Sequence, residues 1–144
     1  MTVLVALHVA AAVFLIGPLT YASSISPRAV RQGTEGLGAL RLLCRTTWLY
    51  TVLSLIVVAL GLALVRRSDG FGFNQFWISA SLTLYVVAVG VLLLVVVRDQ
   101  RAAIARIEAG EDPAVHAARI AAGSGVAALI WLAVVFLMVF KPGG

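Results

Sequence analysis

The chain has 144 residues, 62% of them hydrophobic and 12% charged, and its mean hydropathy is +1.06. A soluble domain is closer to half apolar and about a quarter charged, so an ordinary water-soluble fold is excluded. A formal net charge of +5 would suit nucleic acid in a soluble protein, but here the arginines sit at the ends of apolar blocks and form no basic stripe. Membrane topology accounts for them, and nucleic acid is not an expected partner.

Four apolar blocks carry the excess, at about residues 3–22, 46–65, 76–97 and 120–140, and none contains Asp, Glu, Lys or Arg. Each is about the 20 residues that a helix needs to cross about 30 Å of hydrocarbon. Barrel strands would be about half as long and would alternate apolar with polar residues. Within lipid a helix satisfies its own backbone groups, so each block predicts one transmembrane helix. The expected fold is all-α, a single domain of four antiparallel transmembrane helices in an up-down bundle. The lipid bilayer is its first partner.

The first block ends in Tyr21-Ala22-Ser23-Ser24, small residues that suit a signal-peptide cleavage site. No Lys or Arg precedes it, so the block is read as a span. Inside it Gly17 and Pro18 predict a kink, because proline leaves the Phe14 carbonyl without its helical donor. Ser26-Pro27 reads as the cap and first position of a short second helix. Leu37, Leu40 and Cys44 share one face, so a helix is expected to begin ahead of the second block. Cys44 is the only cysteine, which rules out an internal disulfide and gives no sign of redox chemistry.

Asp69-Gly70 and Gly72 predict the turn after the second block, with Asn74 as N-cap of the next helix. Arg98 to Glu108 reads as a polar extension of the third helix, stopped by Gly110, and Asp112-Pro113 starts the fourth. Trp48 and Trp77 fall at span ends, where aromatic rings anchor to the interface. Trp131 falls mid-span, where a large ring packs between helices or beside a cofactor. Two series of small residues run along the fourth helix: Ala114, Ala118, Ala122 and Ala117, Ala121, Gly125. They predict close helix packing, within the chain or against a partner. Gly123-Ser124-Gly125 is read as packing too, because no base lies near Ser124.

Of the eleven Lys and Arg residues, eight are Arg28, Arg31, Arg41, Arg45, Arg98, Arg101, Arg106 and Arg119, in the first and third connections. Arg66, Arg67 and Lys141 lie at the other side. The positive-inside rule then places the first and third connections in the cytoplasm and both termini outside.

His8 is the ionisable residue inside a span and therefore the first functional candidate. It is either a neutral histidine bonded to a hydroxyl or carbonyl, a ligand of haem b, or a proton-linked group. His116 lies at the opposite end of the bilayer, so one haem cannot bridge the two. A haem would need His8 alone, His8 with Met138, or two His8 residues across a dimer. Neither histidine has the company that zinc or copper needs, so no metal site is expected. No phosphate loop, nucleophile elbow or carboxylate pair is present, no catalytic residue is assigned, and the balance is toward a non-enzyme.

Leu7-His8-Val9 with Gly17, Trp48, Gly61-Leu62 and the closing Leu137-Met138-Val139-Phe140-Lys141-Pro142 resemble a bacterial family of four-helix integral membrane proteins with no assigned function, over nearly the whole chain. That resemblance implies a multi-pass protein of the bacterial cytoplasmic membrane. The early histidine followed by small residues and a glycine is more distantly similar to membrane proteins of the copper-resistance D type and to the haem-binding protoporphyrinogen oxidase, which would imply haem on His8. The favoured reading is a non-catalytic accessory subunit or self-associating scaffold, partnered by itself or a larger membrane complex. The alternatives are a b-type haem-binding or redox-linked protein using His8, and a small transporter or channel hinted at by Ser79, Thr83 and Tyr85.

Overall fold

The computed structural model describes residues 2–67 and 74–142. The described chain is helical and holds four helical rods long and apolar enough to cross a membrane, Thr2–Arg31, Gly33–Arg67, Phe76–Glu108 and Ala114–Phe140. Rod I is α1 (Thr2–Arg31). Rod II begins with a 3₁₀ turn (Gly33–Gly36) and continues as α2 (Leu37–Leu53) and α3 (Leu55–Arg67). Rod III is α4 (Phe76–Val91), a π-helical segment (Leu92–Val97) and α5 (Arg98–Glu108). Rod IV is α6 (Ala114–Phe140).

The joints follow local chemistry. Gly33 adopts φ +63° after α1, a conformation that glycine takes at little cost. At Gly36 a side chain would run into the Ala29 carbonyl, so the start of rod II can lie directly against the end of rod I. Gly110 (φ +73°) ends α5, its amide bonding the Ile107 carbonyl and that of Glu111 the Arg106 carbonyl, which satisfies carbonyls at the helix end. Asp112 Oδ1 then accepts from the Ala114 amide at 3.1 Å and opens α6. Lys141, at φ +46°, closes α6, and Pro142 cannot continue it.

Two expectations are corrected. Ser26-Pro27 does not begin a new helix; α1 runs through both to Arg31. The Ser26 hydroxyl bonds back to the Ala22 carbonyl at 2.7 Å, and Ala22, Ser23, Ser26, Ala29 and Val30 are all buried. Packing along that face holds the helix through the proline. At the start of α4 the capping position is Gln75 rather than Asn74, with extended backbone (φ −78°, ψ 130°); its side chain accepts from Trp77 Nε1 at 2.9 Å. The turn expected at Asp69-Gly70 and Gly72 lies outside the described residues.

α1 packs on α2, α3 and α6, and α4 packs on α6. The main apolar cluster gathers Leu19, Leu40, Leu92, Val96, Ile107 and Ile120, with Trp131 packed at its edge. The ends carrying most of the arginines meet there: Arg41 of α2 pairs with Glu108 of α5. At the opposite end Lys141 lies over the Trp77 ring, 5.5 Å from its centroid. Burial is uneven. In the most apolar stretch of rod III 28% of the residues are buried, and in that of rod I only 6%.

Candidate functional site

The most polar part of the interior begins just after the π-helical segment, where two adjacent residues of α5 are both buried. Asp99 is 3% exposed and Gln100 fully buried. Asp99 turns to α6: His116 Nδ1 is 2.6 Å from Oδ1, and Arg119 Nε is 3.2 Å from Oδ2. The arginine contact is an ion pair without good hydrogen-bond alignment, since Oδ2 has no hydrogen-bond partner among the described residues. The Arg119 side chain is 58% exposed and that of His116 only 15%. Histidine is therefore the partner that shares the burial.

Gln100 turns the other way. Its Nε2 donates to Ser26 Oγ of α1 at 2.7 Å and to Thr47 Oγ1 of α2 at 3.2 Å. Both hydroxyls spend their protons on carbonyls one turn back, those of Ala22 and Leu43, and so are free to accept. Gln100 Oε1 has no partner among the described residues. One amide thus ties three rods together, the helix-bridging use of a polar side chain inside a membrane.

From Thr47 a polar line follows the inner face of rod II at spacings of four and three residues. Thr51 donates to the Thr47 carbonyl at 2.6 Å. Ser54, at the joint of α2 and α3, donates to the Thr51 carbonyl at 2.5 Å. Its oxygen is 2.7 Å from Tyr85 Oη, and since the serine proton is committed, Tyr85 donates. The Tyr85 ring in turn lies tilted against Trp131, with centroids 6.0 Å apart. The mid-span tryptophan therefore packs between rods III and IV.

The line ends at His8. Its Nδ1 is 2.9 Å from the Val57 carbonyl. A carbonyl only accepts, so Nδ1 carries a proton and donates, and this bond fixes the orientation of the ring. Nε2 has no hydrogen bond among the described residues. Gly61, one turn beyond Val57, makes room for the ring: a Cβ there would lie 3.0 Å from His8 Cε1.

The other sequence candidates lie apart from this line. Met138 is 37% exposed, on the outward side of α6. Gly17 is exposed with nothing within 4 Å of a built Cβ, beside Pro18 in an unbroken α1. Of the small-residue series, Ala117 is buried, whereas Ala114, Ala118, Ala121, Ala122 and Gly125 are exposed. The close approach of α6 uses Gly123 instead, where a Cβ would fall 2.9 Å from Val96 Cγ2 and 3.2 Å from Val95 Cγ1. Ser124 Oγ donates to the Ile120 carbonyl at 2.6 Å. Ser79 and Thr83 face outward, with Thr83 bonding the Ser79 carbonyl; of the three hydroxyls that hinted at a path, Tyr85 turns inward.

Sequence reasoning missed Asp99, Gln100, Ser26, Thr47 and Ser54. Asp99 and Gln100 lie just beyond the third apolar block and read as solvated residues. The available signal was the Thr47, Thr51, Ser54 spacing, which puts three hydroxyls on one helical face.

Residues 2–142 match the family described as "Predicted integral membrane protein (DUF2269)". The chain belongs to this family. The match takes in all four rods, so the DUF2269 protein is a multi-pass integral membrane protein, and the apolar faces of its rods meet lipid. No curated protein and no solved structure matches the chain. In this DUF2269 member the polar line holds helices together in the manner that buried polar groups serve in bilayers.

Proposed function

We propose that the protein is a non-catalytic component of the bacterial cytoplasmic membrane that associates with a second copy of itself, as a scaffold or as an accessory part of a larger membrane assembly. The observation that carries this reading is how few residues rod I buries in its most apolar stretch, 6% of them. Ala6, Ala10 and Gly17 lie outward there, on a part of α1 that buries little against its own chain. The exposed Ala114, Ala118, Ala122 and Gly125 of α6 repeat the pattern. Lipid tails give no hydrophobic reason for helices to associate, so small outward residues that let backbones approach are what favours a partner over lipid. Contacts between the end of rod I and the start of rod II, and between α5 and the start of α6, support an up-down arrangement. The arginine excess at that end supports its cytoplasmic placement, with both termini outside.

The test is energy transfer between donor- and acceptor-labelled protein in liposomes, read as the lipid-to-protein ratio is raised. Transfer should persist well beyond random proximity and fall by about tenfold in apparent affinity in Ala10→Leu/Gly125→Leu, whose larger side chains keep backbones apart. Transfer that merely tracks surface density, or is indifferent to the double variant, rejects self-association.

A second reading has its own observation. Ligating histidines generally donate one ring N–H to a carbonyl or carboxylate and bind metal through the other nitrogen, and His8 donates through Nδ1 to Val57. One oriented nitrogen is half of a bis-axial haem set. The other half would come from Met138 or from His8 of a second copy, and in the second case haem b is conditional on association. Oxidised and reduced absorbance spectra of protein expressed with ample haem decide this. A Soret band that His8→Ala abolishes supports haem; colourless protein rejects it.

A further inference from the structure

We infer that the groove between the end of α1 and the start of α2 binds the headgroup of an anionic phospholipid, with phosphate at Arg28. The groove is lined along α1 by Tyr21, Ile25, Arg28 and Gln32 and along α2 by Ala39 and Leu43. Its two ends differ in chemistry. Tyr21, Ile25 and Leu43 form an apolar end at the edge of the first two apolar blocks, and Arg28 and Gln32 form a polar end one to two turns further on.

The depth fits a lipid. From Tyr21 to Arg28 is seven residues of helix, a rise of about 10 Å. With Tyr21 at the hydrocarbon edge, the Arg28 backbone stands just past the headgroup layer, which adds about 5–8 Å on each side of the core, and its long side chain, leaning back toward the helix N-terminus, returns the guanidinium to that layer. The acyl chains of such a lipid would leave the groove past Tyr21, which is 66% exposed, straight into the bilayer.

The charge fits as well. The ion pairs among the described residues are Arg41–Glu108, His116–Asp99 and Arg119–Asp99, and Arg28 joins none of them. Arg28 and Gln32 are four residues apart and so share one helix face. Together they offer a cation and an amide N–H, both donors and both suited to phosphate oxygens. A zwitterionic lipid would bring its own cation to the same place. The anionic headgroup is therefore the occupant that the site selects.

The experiment uses the full chain in vesicles of phosphatidylcholine carrying spin-labelled phosphatidylglycerol or spin-labelled phosphatidylcholine, and reads the motionally restricted lipid. The wild type should prefer phosphatidylglycerol. Arg28→Gln should reduce that preference about five-fold, the equivalent of the ~1 kcal/mol that one basic residue contributes near an anionic surface. Ala39→Phe, which fills the groove and leaves every charge in place, should reduce it too. Arg98→Gln removes the same charge from the same end but outside the groove and should leave the preference intact. An equal loss in Arg98→Gln would mean a diffuse charge effect. No loss in Arg28→Gln and Ala39→Phe would mean that the groove is empty of lipid. Displacement by millimolar inorganic phosphate would mean a free-anion site. Any of the three overturns the inference.

Discussion

Replacing His116 by alanine is expected to destabilise the bundle by about 2–3 kcal/mol, the upper range for leaving a buried acceptor without its hydrogen-bond donor. The reason lies in what is left behind. Asp99 is 3% exposed and would keep only Arg119, whose contact with Oδ2 is poorly aligned. Arg119→Ala should cost far less, about 1 kcal/mol or under, because its side chain is 58% exposed and exposed ion pairs contribute little. Asp99→Ala should fall between the two: Arg119, 58% exposed, can turn to water, and only His116 loses a buried partner. Thermal unfolding in detergent, followed through tryptophan fluorescence, gives the order directly. If Arg119→Ala proves as costly as His116→Ala, the exposed arginine and not the half-hidden histidine is what holds the carboxylate.

The same cluster marks where sequence reading stops. The four spans were legible because lipid sets both their length and their freedom from charge, and the ends at Gly110 and Asp112 were legible because helix termini need specific residues. The rotation of each helix about its own axis was not. In a soluble bundle the apolar stripe names the inner face. In a membrane helix the outer face is apolar too, so Val95 and Val96 look the same as residues turned to lipid. Asp99 and Gln100 were misread for a related reason. They follow an apolar run, and nothing local shows that the bundle continues past it and closes over them. Thr47, Thr51 and Ser54 could have been found, since hydroxyls at that spacing on an apolar helix pick out a face where the apolar residues cannot. His8 was found on rarity alone, and its bond to the Val57 carbonyl became visible only once rods I and II were packed.

The two glycines of α6 turn this difference into an experiment. Gly123 and Gly125 flank one serine, and in sequence the series Ala117, Ala121, Gly125 favours Gly125 as the packing residue. At Gly123 a Cβ would fall 2.9 Å from Val96 Cγ2 and 3.2 Å from Val95 Cγ1. Branched valines have little freedom at χ1, and Val96 is fully buried, so neither side chain can swing clear. Gly123→Leu should therefore push α6 away from rod III and cost about 3 kcal/mol or more, at or beyond the upper end of overpacking penalties. At Gly125 a Cβ meets nothing within 4 Å, and Gly125→Leu should leave the unfolding midpoint of the isolated chain within about 0.5 kcal/mol of the wild type, as an outward substitution does. The two variants separate fold from association: Gly123→Leu should fail in unfolding measurements at any lipid dilution, whereas Gly125→Leu should unfold normally and lose energy transfer in liposomes. Equal destabilisation by the two would show that α6 is rotated from the position described, and the outward small-residue face would lose its claim to a partner.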